Sequence, residues 1–520
     1  MISKYLDKRF ITLFLIPFFI GSFSVLSFQP FNLTFVNFFT LPIFFYLTVY
    51  IKKKSKSFYR KKPYKKNLFF FGTAFGFGFY LSGIYWVTNS LTFDENFKIL
   101  IPFGLILIPL FLSLFFSIAT VLIGPLLNLN LQSIFLFSAS LAFSDYIRNF
   151  IFTGFPWNFW AYSFSWITEI IQILNYQGLF ATNLIIITIF MLPAFIFMDF
   201  KLVQKINMLL ILILILLISY IYGNHSINLN KKNLKNIENR FNIKVISPNF
   251  KLEYGLDQVD IENRLEKLIK YSDPEEDKKT LYVWPEGVFS GYSFKEIKSL
   301  KKNFSKNFSK NHFILFGINR LDEEMNGFYN SLIVVDNEMK IIQEYKKQKL
   351  VPFGEFLPFK NILSKFGLKK ITEGHGSFLS GKKQDNLKFD KLNILPLICY
   401  EIIFTDLVQS SGKDTNLIIN ISEDGWFGNS IGPYQHFSKS IFRAIEHNTF
   451  LIRSSNKGVS AIINNKGEVV KRLNPNEAGH IKLEIPLLEN QNKNKNDLIF
   501  FILLFTYVLI FYFTKKNNGK

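Results

Sequence analysis

Long unbroken apolar stretches fill the first 222 residues of this chain and recur once near its end, while short alternations occupy the part between. The stretches lie at about 9–29, 31–51, 68–88, 99–127, 131–145, 177–198, 207–222 and 497–514. A helix needs roughly 20 residues to cross about 30 Å of hydrocarbon, so the pattern predicts eight membrane spans, the short 131–145 run borrowing flanking residues. One such run would suit a buried core helix equally well; eight predict a polytopic membrane domain. The first stretch has no small-residue cleavage site before more soluble sequence, so it reads as a retained span rather than a signal peptide.

Between the last two stretches the period changes. Residues 242–247, 281–284, 312–317, 330–335, 340–345, 392–398, 417–421, 451–454, 459–463 and 468–471 read as strands, with turn residues between several of them. Residues 257–271 read as an amphipathic helix with Val259, Ile261, Leu265 and Ile269 inward. Residues 294–310 read as a lysine-rich helix and 401–409 as another. Strands alternating with helices, plus hairpins, predict sheets covered by helices on their outer faces. The fold class is therefore mixed: a transmembrane domain over 1–224, an α/β domain over 240–490, and a C-terminal span at 497–514.

Charge sets the expected orientation. The formal net charge is +21, and the loop 52–66 carries nine basic residues and no acid. Lys4, Lys8 and Arg9 precede the first span, Lys201 and Lys205 separate the sixth and seventh, and Lys515, Lys516 and Lys520 end the chain. Eight crossings with both ends inside put all of them on the cytoplasmic face, as the positive-inside rule asks, and put 223–496 outside. Topology and lipid headgroups account for this excess, so no nucleic-acid partner is called for.

The only cysteine, Cys399, cannot form an intramolecular disulfide in an exported domain. It is either an inert core residue or a reactive thiol. It follows the apolar strand 395–398 at a strand-to-helix turn, where helix N-terminal amides would favour thiolate. Glu286, after Pro285 and beside Val283 and Trp284, has the apolar setting of a carboxylate base. Lys347 would steady a thiolate or an oxyanion; its neighbours Lys346 and Lys349 read as solvated. Glu355 and Glu401 would orient Lys347 or a substrate amine, or form plain ion pairs. Six scattered histidines and one cysteine offer no zinc-like spacing, and neither metal nor cofactor is expected. Residues 356–377, with Phe356, Leu357, Phe359, Ile362, Leu363, Phe366 and Leu368, read as a lipid-dipping lid or a buried amphipathic helix. Trp157 and Trp160 suit an interfacial belt or simple packing.

Trp284-Pro-Glu286, the run from Lys347 through Leu350-Val-Pro-Phe-Gly-Glu355, and Ile398-Cys-Tyr-Glu401 resemble the three catalytic segments of the nitrilase superfamily. With the flanking spans, the chain resembles the apolipoprotein N-acyltransferase family. Gly83-Ile-Tyr-Trp-Val87, Thr153-Gly-Phe-Pro-Trp157, Tyr329-Asn-Ser331, Trp426-Phe-Gly428, Ser430-Ile-Gly-Pro433, Gln435-His-Phe437 and Arg453-Ser-Ser-Asn-Lys-Gly458 extend the likeness over nearly the whole length. The resemblance implies an αββα sandwich with Glu286 as base, Lys347 as the site lysine and Cys399 as nucleophile. It further implies Glu355 and Glu401 as supporting carboxylates and Asn330 as a site asparagine, with Tyr400 and Trp426 beside the substrates. Implied partners are a phospholipid acyl donor and diacylglyceryl lipoproteins as acceptors. The implied setting is a bacterial inner membrane with the catalytic domain facing the periplasm. The chain departs from the family in carrying Glu423 where asparagine is common, and in lacking a tryptophan shortly after Pro248-Asn249, with Tyr254 as a stand-in. The same triad would serve a membrane-anchored amidohydrolase with water as acceptor. A transporter or purely binding protein fits less well, because the spans hold few ionisable residues.

Overall fold

The computed structural model describes residues 9–55, 64–253, 255–366, 370, 377–410, 412, 414–488 and 497–517. Tyr254, Lys4, Lys8, Lys520, most of the basic loop and much of the expected lid lie outside the described residues. Two units emerge, Met1–Ser226 with Lys495–Lys520, and Ile227–Asn494.

In the first unit all eight apolar runs are helical. Five of these helices are long and apolar enough to cross a membrane: Thr34–Lys54, Tyr64–Thr92, Glu95–Leu126, Leu174–Phe197 and Leu202–Lys235. Ile11–Ser27 and Leu498–Phe513 form shorter apolar helices, and Leu131–Arg148 is a helix that carries Asp145 and Arg148 in its last turn. These features separate the remaining three runs from the five that meet the length and composition of a span. Leu174–Phe197 is largely enclosed, whereas Glu95–Leu126 turns Phe103, Ile106, Leu107 and Phe111 outward, as a lipid-facing helix does. One buried polar cluster in this unit is paired. Arg148 Nη2 donates to Asp145 Oδ1 at 2.7 Å, and Asn183 Nδ2 donates to Asp145 Oδ2 at 2.9 Å. Trp157 and Trp160 are buried, against Trp86 at 4.8 Å and Phe79 at 5.0 Å between ring centroids. They are packing residues and not an exposed belt.

The second unit is two six-stranded sheets. The first has the order β12-β1-β2-β3-β4-β5, from β1 Arg240–Ser247, β2 Thr280–Val283, β3 His312–Asp322, β4 Gly327–Val335, β5 Ile341–Lys346 and β12 Gly479–Pro486. The second has the order β11-β10-β9-β8-β7-β6, from β6 Leu387–Phe389, β7 Leu392–Ile398, β8 Leu417–Glu423, β9 Phe450–Asn456, β10 Ser460–Ile463 and β11 Val469–Leu473. Alternation builds the layers. Phe241, Ile243, Val245, Leu281, Val283, Leu315, Leu332 and Val334 face Ile394, Ile398, Leu417, Ile419, Ile421 and Ile452 in one dry core. Tyr282, Trp284, Ile314, Phe316, Ile333 and Val335 point the other way, onto helices Gln258–Ser272 and Lys301–Asn307. Helix Gly432–His447, buried almost throughout, belongs with the second sheet. The result is an αββα sandwich.

Differences from the sequence pattern have local causes. In helix Gln258–Ser272 the buried stripe is Ile261, Leu265 and Leu268, and Val259 is 62% exposed in the first turn, just after an Asp257–Asp260 capping box. The lysine-rich helix expected over 294–310 is broken into Phe294–Ile297, a 3-10 turn and Lys301–Asn307. Strands β6 and β12 escape the pattern because their sequences alternate with lysine, glutamate and histidine. Helix Gly432–His447 escapes because its buried face is largely polar.

Candidate active site

Three chain segments meet at the ends of strands from both sheets. The first leaves β2: Trp284 N–H still bonds Leu315 O at 2.8 Å, and Pro285-Glu286 turns away at Gly287, whose φ of +70° favours glycine. Gly317 on β3 makes room for it, since a Cβ there would lie 3.0 Å from the Glu286 Cα. The second segment continues β5. Lys347 N–H bonds Asn330 O at 2.9 Å, which points the Lys347 side chain into the interior at 1% exposure. The third is the 3-10 turn Cys399–Ile403 after β7.

The side chains form one hydrogen-bonded group. Asn330 Nδ2 donates to Glu286 Oε1 at 2.7 Å and to Glu355 Oε1 at 2.8 Å. Lys347 Nζ donates to Glu355 Oε1 at 2.9 Å and stands 3.8 Å from Glu286 Oε1. Glu355 Oε2 takes Val351 N–H at 2.9 Å, and Glu286 Oε2 takes Glu423 N–H at 3.1 Å. Burial pushes the Glu286 carboxyl above its usual range, opposed by Lys347 and reinforced by Glu355. Burial alone would discharge Lys347, but the Glu355 and Glu286 carboxylates outweigh it and hold the ammonium charged.

Glu401 ties two of the segments together through main chain. Its Oε1 accepts from Gln348 N–H at 2.7 Å, Lys349 N–H at 3.1 Å and the Tyr345 hydroxyl at 2.9 Å; its Oε2 accepts from Ile398 N–H at 2.8 Å. It therefore joins the backbone after Lys347 to the residue before Cys399. Burial raises its pKa to about 7, against the Ile398 N–H and the Lys347 charge. Lys346 and Lys349 face elsewhere: Lys346 Nζ lies over the Tyr329 ring at 4.1 Å, and Lys349 pairs with Asp406 at 3.1 Å. Tyr400 is buried against Phe404 with ring centroids 5.1 Å apart, and Trp426 is half-buried in the turn Asp424–Phe427.

Cys399 itself has φ of +49°. Its thiol is pushed well up, first by burial and next by the Glu286 charge, with Lys347 acting the other way. This corrects the expectation of a helix-stabilised thiolate: the residue opens a short 3-10 turn, whose few aligned amides do not offset the loss of water. Its surroundings favour the thiol over the thiolate. Thiolate formation then requires a base, and Glu286 is the carboxylate whose charge it feels most. Glu423, where the sequence resemblance leads one to expect asparagine, is 4% exposed; its Oε1 takes Gly425 N–H at 2.9 Å and its Oε2 takes Asn456 Nδ2–H at 2.7 Å. Burial lifts its pKa to about 8 despite the Asn456 hydrogen bond.

The two-sheet unit, with half-buried Glu286 and Cys399 and buried Lys347 at its strand ends, is of the carbon-nitrogen hydrolase class: residues 254–492 match the Carbon-nitrogen hydrolase family. Residues 20–192 match the Apolipoprotein N-acyltransferase N-terminal domain. Relatives named apolipoprotein N-acyltransferase include one from Rickettsia prowazekii, 33% identical, covering 84% of this chain and 89% of the relative. Another, from Rickettsia typhi, is 32% identical and covers 95% of this chain and 98% of the relative. The chain belongs to the apolipoprotein N-acyltransferase family. Among solved structures, Saccharomyces cerevisiae Nit3 aligns with a TM-score of 0.36 and 17% identity, over 48% of this chain and 91% of its own. With five helices of spanning length and this family membership, the chain is a multi-pass membrane protein.

Proposed function

We propose that this protein transfers an acyl chain from a membrane phospholipid, through a thioester on Cys399, to the N-terminal amine of a diacylglyceryl-cysteine lipoprotein. The observation that carries the reading is that Glu286 and Lys347, 3.8 Å apart, come from two chain segments, and that the Glu401 carboxylate ties the Lys347 segment to the turn that opens at Cys399, the only thiol. Glu286 takes the thiol proton as the sulfur attacks the ester carbonyl. Lys347, held charged by Glu355, and a main-chain amide near Tyr400 stabilise the oxyanion. The C–O bond then breaks, and the lysophospholipid oxygen leaves with the proton held by Glu286. In the second half the acceptor amine attacks the thioester, Glu286 takes its proton, the C–S bond breaks, and the proton returns to sulfur. Covalent catalysis divides one difficult exchange into two easier ones. Both substrates are lipids, which gives a purpose to the spans: acyl chains stay in the bilayer while the head region enters the site. The catalytic unit faces the periplasm from the inner membrane, where such lipoproteins present their amines.

The test is mass spectrometry of the Cys399 peptide after incubation with phospholipid vesicles and no acceptor. A hydroxylamine-labile acyl mass should appear and should move to a synthetic diacylglyceryl-cysteine peptide when that is added. Ammonia release from small amides without acyl transfer would replace this reading with hydrolysis.

A further inference from the structure

Two of the sequence segments singled out above, Gln435-His436 and the one that opens at Arg453, have no part in the reaction as described, and neither do Ser422 and Asp424 on either side of Glu423. They converge directly behind the nucleophile. His436 is fully buried on helix Gly432–His447, with Nε2 3.2 Å from the Cys399 carbonyl oxygen. A carbonyl oxygen only accepts, so Nε2 carries the imidazole proton and donates it there. Nδ1 lies 2.9 Å from both Asp424 Oδ1 and Arg453 Nη2, so His436 is held directly by the carboxylate as well as beside the guanidinium. The same Nη2 is 2.8 Å from Asp424 Oδ2 and 3.1 Å from Oδ1, so the guanidinium bridges imidazole and carboxylate. Burial and Arg453 together hold the His436 pKa down to about 4, against the pull of the Asp424 carboxylate. Asp424 Oδ1 also accepts from the Ser422 hydroxyl at 2.6 Å, and Ser422 in turn hydrogen-bonds the Cys399 thiol. The chain of contacts thus closes on itself: carbonyl, His436, Arg453 and Asp424, Ser422, thiol.

Cys399 needs such a hold. Its φ of +49° is one that a side chain bearing a Cβ rarely adopts. That conformation throws its carbonyl to one side of the turn and its thiol to the other. We propose that His436 and Asp424 are positioning residues for the reaction: His436 binds the main-chain carbonyl of Cys399 and Asp424 holds His436, and together they keep the turn left-handed, the form in which the thiol faces Glu286 and Lys347. This rests on Cys399 being the nucleophile of the proposed transfer.

The experiment compares the full-length protein with His436→Ala, His436→Gln and Asp424→Asn. It reads the thioester burst with phospholipid vesicles, the pH–rate profile of Cys399 alkylation by iodoacetamide, and thermal melting. His436→Ala should lose about 100-fold in burst rate, the scale of a roughly 1 Å misplacement. Its alkylation midpoint should fall toward the ordinary thiol value of about 8.5 as the sulfur leaves Glu286. His436→Gln keeps an N–H donor at the Nε2 position and should recover most of both readouts. Asp424→Asn should move the alkylation midpoint in the same direction as His436→Ala. An unchanged alkylation profile in a folded His436→Ala protein overturns the proposal. So does a His436→Gln protein that melts like wild type yet reacts no better than the alanine variant. Should His436→Ala fail to fold, the glutamine and Asp424→Asn profiles decide alone. The nucleophile reading fails separately, if Cys399→Ala still transfers acyl chains.

Discussion

The Lys347 ammonium bonds Glu355 at 2.9 Å but stops 3.8 Å short of Glu286. The lysine is thus anchored by one carboxylate and only polarises the other, which leaves Glu286 able to accept a proton. Asn330 keeps the two acids apart by donating to both.

Glu286→Gln should therefore stop thioester formation, with a loss on the order of 10²–10⁴ in rate from removal of a general base. Lys347→Ala should lose a comparable factor, since it removes an oxyanion donor and leaves Glu355 buried without its cation. Lys346→Ala should be mild, because that ammonium lies over the Tyr329 ring, half-buried and away from the cluster. Burst kinetics on the three variants checks the assignment; an essential Lys346 beside a dispensable Lys347 would reverse it.

Glu401→Ala should act on both the Lys347 and Cys399 segments at once. It removes four hydrogen bonds to Glu401, three of them from main-chain N–H groups. Loss of a buried acceptor costs about 1–3 kcal/mol for each donor left unpaired. The variant should melt well below wild type and show slower thioester formation, while Glu401→Gln should fall between the two. Circular dichroism melts alongside the burst assay would test this; a variant with normal melting and normal burst would remove Glu401 from the site's framework.

Much of this arrangement was legible before folding, for identifiable reasons. Each catalytic segment announces itself by a charged or thiol residue at the end of an apolar strand: Glu286 after 281–284, Cys399 after 392–398. Period-2 alternation located ten of the twelve strands among the described residues, and the two missed, β6 and β12, are edge strands, one only three residues long and the other carrying His480, Lys482 and Glu484. Lys347 could be chosen over Lys346 and Lys349 only by its family spacing, since three lysines within four residues carry no burial signal. His436, Asp424 and Arg453 were visible as motif segments but not as one group. Their contact joins the turn after β8, strand β9 and a helix, with 12 to 29 residues between partners, which no local period encodes.

Glu423 links this chain's departure from its family to a measurable pH effect. Its carboxyl rises from the ordinary 4.5 to about 8 on folding, chiefly through burial. A raised carboxyl means that the folded state holds the proton more tightly. The associated stability is complete below about pH 4.5 and is lost as pH climbs through 8. Glu423→Gln stays neutral throughout. Its melting temperature should therefore gain on wild type as pH rises from 5 to 8.5, by several degrees at roughly 2–4 °C per kcal/mol. A constant gap across that range would mean that Glu423 is ionised in the fold.

Topology is the condition on which the proposed reaction depends, because the acceptor amine is presented outside the cytoplasm. The apolar runs and the basic 52–66 loop lead one to expect eight crossings with both ends inside, of which five rest on helices of spanning length. Helix Leu131–Arg148 is the critical one: it ends in the buried Asp145–Arg148 pair. Were it not a crossing, the count would be seven, and the Cys399 unit would sit on the same side as residues 52–66. A cytoplasm-dependent fluorescent reporter fused after Lys520 should glow, and the same reporter inserted at 230–240 should stay dark. An export-dependent phosphatase at the two positions should give the opposite pair of signals. Fluorescence from the 230–240 insertion would place Cys399 in the cytoplasm and end the lipoprotein reading, whatever the chemistry of the site.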